Sequence, residues 1–380
     1  MPRVVLTRAL TYRHEGVSFR RGLPQTVDEG TYNFLLRQGH FRDPDQDIDF
    51  ITPVRLRGVA GQTEIPIIRD VGMGDVLMVA IPLRELAKRY PSLKLVYAVS
   101  APYVPMFRDC SFLSRVMAIS EMHGQWPYGI DLRGYGERAP GAGRDNRIEL
   151  YMRYLLGHTQ IADIDFPLYP RPEEAARGRL LARAGDKPIL LHAVQASVGN
   201  RSWPWEHVET LAEIARDAGW QTVLVHSGPV ATTARLSATG ATNLCGQTPV
   251  PDLMCLVAAA DVVVAPDTGV THLAEAMKTK CVTYFTTVPP IQRLKHYRYT
   301  RALWARELDC LGCIHTPTCG MPDPKPCARA LTPEDVWAEV MYVHRNSPPW
   351  PLEADRNFAR PGPNRSRWLP IAGPRVGVAA

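Results

Sequence analysis

Three short segments of the chain carry side chains whose types and spacing suit work on an anionic, polyhydroxylated ligand. In Gly72-Met73-Gly74-Asp75 a pair of glycines precedes a carboxylate. Glycines let a backbone come close to a ligand, and a helix that starts there offers unpaired N–H groups to an anion. Asp75 reads either as a capping residue at or near the helix N-cap, worth about 1 kcal/mol, or as a carboxylate free to take a proton. In Asp267-Thr268-Gly269-Val270-Thr271-His272 an apolar strand ends and a helix begins. There Thr268, Gly269 and the neighbouring amides can hold a diphosphate or sugar hydroxyls, with Asp267 and His272 on either side of the turn. A cap and an ordinary helical histidine is the plainer reading, but a polar cluster set directly on the end of a buried strand favours binding. In Asn200-Arg201-Ser202-Trp203-Pro204-Trp205, Arg201 stands just ahead of a helix start, where a cation offsets charge on a departing diphosphate. Trp203 and Trp205 read as core packing at the helix entry.

The elements that must position these residues form two α/β series. Ile65-Pro66-Ile67-Ile68-Arg69 is a short apolar strand, and Asp75 to about Arg89 a helix with Val76, Val79, Ala80, Leu83, Leu86 and Ala87 on one face. Leu93–Val99 and Gly129–Leu132 follow as strands. Pro167–Arg183, rich in Pro, Arg and Ala, reads as the link between halves. The second series has strands at Ile189–Val194, Thr222–Ser227, Val262–Ala265 and Val282–Thr286. Its helices span about Trp205–Ala218, Val250–Ala259, Val270–Met277 and Pro333–Val343. Strands alternating with helices at this spacing predict parallel sheets covered on both faces, with ligands beyond the carboxyl ends of the strands. The expected division is an N-terminal extension or small module at 1–50, two α/β domains at 51–172 and 173–345, and a Pro- and Arg-rich tail at 346–380.

Composition bounds the function classes. A chain of 380 residues with 45% hydrophobic and 22% charged residues suits an ordinary two-domain globular protein. No run of about 18 apolar residues occurs, so no membrane-spanning helix is expected. The N-terminal stretch lacks a long apolar region followed by a small-residue cleavage site, which predicts a cytoplasmic protein. From Met341 onward six arginines face only Glu353 and Asp355, so most of the net charge of +6 sits in the tail. The body is near neutral, which argues against a nucleic-acid groove. Cys110, Cys245, Cys255 and Cys281, scattered among apolar residues, read as buried thiols.

Taken in order, the three segments resemble glycosyltransferase family 9, the lipopolysaccharide heptosyltransferases and their relatives. The matching stretches are Gly74-Asp75-Val76-Leu77, Arg201-Ser202-Trp203-Pro204 and Asp267-Thr268-Gly269-Val270-Thr271-His272, with Asn243-Leu244-Cys245-Gly246 resembling a further family stretch. The likeness runs from about Ile65 to Val340. It implies an α/β fold of two Rossmann-like domains facing a cleft, the glycosyltransferase B type, with the acceptor on the N-terminal side and a nucleotide sugar on the C-terminal side. It further implies inverting transfer with no bound metal required. By position, Asp75 resembles the family's general base. Arg201 would meet the leaving diphosphate, and Gly72, Gly74, Asp267, Thr268, Gly269 and His272 would hold the donor. The donor expected is a nucleoside diphosphate sugar, an ADP-sugar by preference and heptose among the sugars. The partner expected is a glycan or lipid-linked acceptor, which would bring peripheral contact with the inner membrane. Arg201 departs from the lysine common in the family, replacing a point charge by a planar fork. The extension before residue 60 and the tail after Asn346 are also additions, and they bear on the acceptor more than on the reaction.

Cys310-x2-Cys313-x5-Cys319-x7-Cys327 opens as a metal motif would, and four thiolates can hold zinc tetrahedrally. The later spacings match no common zinc module, so a structural element without metal is preferred to a structural zinc, and a redox or cluster role comes third. Two other readings of the whole chain keep the same fold: a sugar-nucleotide binder without turnover, and a sugar-nucleotide epimerase.

Overall fold

The computed structural model describes residues 3–6, 11–14, 17–20, 24–28, 31, 35, 41–42, 48–50, 64–122, 126–196, 199–230, 234–304, 319 and 325–350. Near the N-terminus β1 (Arg3–Leu6) runs antiparallel between β4 (Pro24–Thr26) and β5 (Phe41–Arg42), and β2 (Thr11–His14) forms a hairpin with β3 (Val17–Arg20). The next strand, β6 (Ile48–Phe50), instead joins the first of two parallel sheets.

That sheet contains β7 (Glu64–Ile68), β8 (Lys94–Val99), β9 (Arg115–Ala118) and β10 (Trp126–Asp131) in the order β6-β10-β7-β8-β9, every pairing parallel. Helix α1 (Met73–Arg89) connects β7 to β8, and its apolar face from Val76 to Leu86 is buried. After β10 come α2 (Tyr135–Arg138) and α3 (Arg147–Leu156), the latter capped by the Asn146 side chain, which accepts from Ile148 N and Glu149 N. The predicted link is mostly helix, α4 (Pro172–Ala182). Its proline lies in the first turn, where the missing N–H costs nothing, and the Glu174 carboxylate accepts from Arg171 N at 3.0 Å.

The second sheet comprises β11 (Ile189–Ala193), β12 (Gln221–Val225), β13 (Thr242–Asn243), β14 (Val262–Pro266), β15 (Cys281–Phe285) and β16 (Thr300–Trp304). Its order is β13-β12-β11-β14-β15-β16, again parallel throughout. This is the doubly wound 3-2-1-4-5-6 arrangement, whose order reverses between β11 and β14 and opens a crevice at their carboxyl ends. β11, β14 and β15 are buried at every residue, as strands covered on both faces must be. The covering helices are α5 (Trp205–Asp217), α6 (Ala234–Ala238), α7 (Val250–Ala259), α8 (Gly269–Ala276), α9 (Ile291–Leu294), α10 (Pro326–Arg329) and α11 (Pro333–Arg345).

Trp203 is core, as its setting predicts. Its ring stacks on Tyr284 at 4.9 Å, and Nε1 donates to the carbonyls of Ala328 and Leu331. Cys110, Cys245, Cys255 and Cys281 are buried thiols. Of the cysteine cluster, Cys310 and Cys313 lie outside the described residues, so the zinc reading does too. Cys319 Sγ accepts from Lys325 N at 3.3 Å, and Cys327 is buried. The tail begins against the second half: Trp350 is buried and its N–H donates to Arg298 O. Residues 351–380 lie outside the described residues. No described helix is long and apolar enough to cross a membrane.

Candidate active site

The three sequence segments meet because two helices start at the same place. Gly72, at the N-cap of α1, adopts φ 82°, a left-handed conformation that glycine takes without steric cost. Its carbonyl accepts from Val76 N at 2.9 Å and starts the helix. A Cβ on Gly74 would lie 2.2 Å from His272 Cδ2, and one on Gly269 would lie 2.6 Å from Met73 Cε and 2.7 Å from Met73 Cβ. The first turns of α1 and α8 therefore touch across the two sheets, and only glycine permits that approach. Their N-termini open on one cavity of about 1010 Å³. All eight residues singled out in the sequence line it: Gly72, Gly74, Asp75, Arg201, Asp267, Thr268, Gly269 and His272. Gln195, His226 and Ser227, just beyond β11 and β12, extend the lining on the second sheet.

Both switch points contribute. In the first sheet the order reverses at β7 and β10; Asp75 follows β7, and Arg147 comes down from the chain after β10. In the second sheet, Arg201 follows β11 and Asp267 follows β14, so the two flank the reversal.

Asp75 is not the cap. It is the third residue of α1, and Gly72 holds the N-cap position. Its carboxylate is 18% exposed and faces cations: Oδ2 lies 3.1 Å from Arg69 Nη2 and Oδ1 3.4 Å from Arg147 Nε. The Tyr151 hydroxyl donates to Oδ1 at 3.3 Å. Burial by itself would raise the carboxyl. The guanidiniums of Arg147 and Arg69, with Arg293 behind them, outweigh it and hold Asp75 below the usual carboxylate range.

Asp267 is buried at the opposite wall. Arg201 Nη1 donates to its carbonyl at 3.2 Å and to Oδ2 at 3.4 Å, and Arg293 Nε lies 3.8 Å from Oδ1. Burial pushes the Arg293 guanidinium down from its ordinary value, and Asp267 counters it. Thr268 is the N-cap of α8, makes no side-chain cap bond, and its Oγ1 has no hydrogen-bond partner. The first N–H groups of α8 and the Thr268 hydroxyl thus stand beside the Arg201 and Arg293 cations, a setting suited to phosphate oxygens. Burial lowers His272 to about 4, so its ring is neutral near pH 7, and Nδ1 is hydrogen-bonded to the Tyr297 hydroxyl.

Arg69, Arg147, Tyr151, Arg293 and Tyr297 belong to this site, yet none was read from the sequence. Arg69 was legible in principle, because it ends the strand that feeds the glycine turn. The other four come from helices and loops whose approach is set by the tertiary fold. Asn146 Nδ2 donates to Ile291 O at 3.0 Å, Gln292 Nε2 to Gly143 O at 2.8 Å, and Glu149 pairs with Lys295 at 2.8 Å. These contacts draw α9 of the second half against α3 of the first and bring Arg293 to the cavity.

Residues 157–318 match the family model described as glycosyltransferase family 9 (heptosyltransferase). Comparison with curated proteins returned no match. Among solved structures, E. coli ADP-heptose LPS heptosyltransferase II superposes with a TM-score of 0.58 at 16% identity, over 74% of this chain and 99% of that one. A glycosyltransferase family 9 protein from Veillonella parvula gives 0.57 at 11% identity, over 75% and 98%. The iron-containing dodecameric glycosyltransferase TibC of enterotoxigenic E. coli gives 0.54 at 14%, over 74% and 76%. The chain is thus heptosyltransferase-like in fold, and the segment similar to glycosyltransferase family 9 lies mostly in its second half.

Proposed function

We propose that the chain is an inverting glycosyltransferase that moves a sugar from a nucleoside diphosphate sugar to a hydroxyl of a glycan or lipid-linked acceptor. One observation carries this reading: a single cavity has the Asp75 carboxylate on one wall and Arg201 with the N-terminus of α8 on the other. Asp75 takes the proton of the acceptor hydroxyl as its oxygen attacks the anomeric carbon from the face opposite the diphosphate. The new C–O bond forms as the bond to phosphate breaks, and the electron pair leaves with the nucleoside diphosphate. The charge that grows on that group is met by Arg201, by Arg293 and by the amides at Thr268–Gly269. Charge-assisted hydrogen bonds from a fixed fork suit that task, and on this reading the leaving group needs no metal for its stabilisation. His272, neutral and fixed by Tyr297, is a donor-side hydrogen-bonding group. An ADP-sugar, heptose among the candidates, is the donor we favour, since the ADP-heptose enzyme above shares the fold.

The test is transfer by Asp75→Asn. The variant keeps the shape of the side chain and removes its basicity. It is expected to fold as the wild type does, bind donor, and lose about 10²–10⁴-fold in kcat, the range that general base catalysis contributes. Wild-type turnover in this variant would remove Asp75 from the mechanism.

A further inference from the structure

Resting on the reading of Asp75 as the base, we infer that Arg147 and Arg69 are positioning residues that clamp its carboxylate, fixing the plane of the group and keeping it ionised inside the cleft. The geometry carries the inference. The two guanidiniums approach different oxygens, Arg69 at Oδ2 and Arg147 at Oδ1, while Tyr151 adds a hydrogen bond to Oδ1. Contacts at both oxygens oppose rotation of the carboxylate about its last bond.

Both arginines are nearly buried, with side chains 3% and 4% exposed. They enter from different elements, Arg69 at the end of β7 and Arg147 in the first turn of α3. The fold makes room for the second: a Cβ on Gly136 would lie 2.3 Å from Arg147 Nη1. Arg147 Nε and Nη1 make no hydrogen bond, so this guanidinium meets Asp75 as an ion pair, and Glu137 lies farther off, 3.7 Å from Nη2.

Asp70 shares Arg69, accepting from Nη1 at 3.3 Å, and leaves Nη2 to Asp75. Glu137 on α2 lies 3.8 Å from Arg69 and 3.7 Å from Arg147, is 40% exposed, and competes only weakly for the two cations. His272 on α8 is neutral, and Arg293 on α9 adds positive potential from the far half. The reason for such a clamp is the cleft itself. When donor and acceptor fill it they exclude water, and desolvation drives a carboxylate toward its neutral, useless form. Two fixed cations oppose that drift at the moment of reaction.

The experiment reads Asp75 without turnover. In full-length protein carrying carboxyl-labelled aspartate, the Asp75 carbon resonance is assigned by difference from Asp75→Asn and titrated. In the wild type the midpoint should lie below the ordinary aspartate value of about 3.9. Arg147→Gln should raise it by about one pH unit or more, as loss of an opposite charge in contact does, and Arg147→Lys should restore most of the lowering. The acid limb of kcat/KM should move with it. A part that is only structural would lower kcat at every pH and leave the midpoint in place. A wild-type midpoint at or above the ordinary value overturns the clamp outright, whether or not Arg147→Gln folds; an unmoved midpoint in a folded Arg147→Gln does the same. The two readings fail separately. Full transfer by Asp75→Asn sinks the base and leaves the titration as found, whereas an inactive Asp75→Asn with an ordinary midpoint sinks the clamp alone.

Discussion

Two buried histidines give the protein a pH signature at the scale of single residues. His272 in the cavity wall is lowered to about 4 and His192 on β11 to about 3, both by burial. Neither ring nitrogen of His192 has a hydrogen-bond partner, and the ring is enclosed by Trp203 and Tyr284. Each ring binds its proton more weakly in the folded chain than in the unfolded one. The stability this confers is present above about pH 6.5 and is lost as pH falls toward the folded values. For His272 alone the full loss is on the order of 3 kcal/mol, because each tenfold weakening of proton binding is worth about 1.4 kcal/mol. Buried Glu275, raised to about 7, works in the opposite direction near pH 7, so urea denaturation is expected to show a stability that falls between pH 6 and pH 5. His192→Leu, outside the cavity, should flatten part of that slope. A wild-type stability level across this range, or an unchanged slope in the variant, would contradict the account.

The helix pair α1 and α8 is the element on which the site depends. Gly74→Ala puts a methyl group into the His272 ring, and Gly269→Ala puts one against the Met73 side chain. Each is expected to destabilise the protein by about 1–3 kcal/mol, the cost of overpacking, and to weaken binding of a nucleoside diphosphate by parting the two N-termini. Met73→Ala should recover part of the Gly269→Ala loss, because Met73 is the group displaced; thermal unfolding of the single and double variants checks this, and strict additivity would refute it. These elements were legible before the fold was known. β11 and β14 read as apolar runs that end in polar motifs, and α1 and α8 as helical periodicity beginning at glycines. Observed strand and helix limits differ from those expected by one or two residues at most ends. Helix α4 was not legible, because Pro172 and the arginines around it look like a linker. Only the position of Pro172 in the first turn and the reach of Glu174 back to Arg171 N disclose a helix start. Arg147 and Arg293 escaped for a different reason: their place beside Asp75 and Asp267 is set by contacts across more than a hundred residues, which no local pattern records.

At the scale of the molecule, two parallel sheets present their switch points to one another, and latches such as Glu149 with Lys295 hold them across the cavity. On the proposed reading chemistry is divided between the halves: a clamped carboxylate on one, and a helix N-terminus with two arginines and a buried aspartate on the other. That reading gives different work to Asp75 and Asp267, both carboxylates beside glycine-bearing strand ends. Each is paired with two arginines, but the Asp75 side chain is 18% exposed at the cavity and that of Asp267 only 5%. The measurement that tests this most directly is isothermal calorimetry with ADP, UDP, GDP and CMP on the wild type and on Arg201→Ala. The account predicts saturable binding of one nucleoside diphosphate, ADP by preference, weakened about tenfold or more in Arg201→Ala, as loss of a hydrogen bond to a charged group implies. Heat from none of the four nucleotides, or equal affinity in Arg201→Ala, would contradict it.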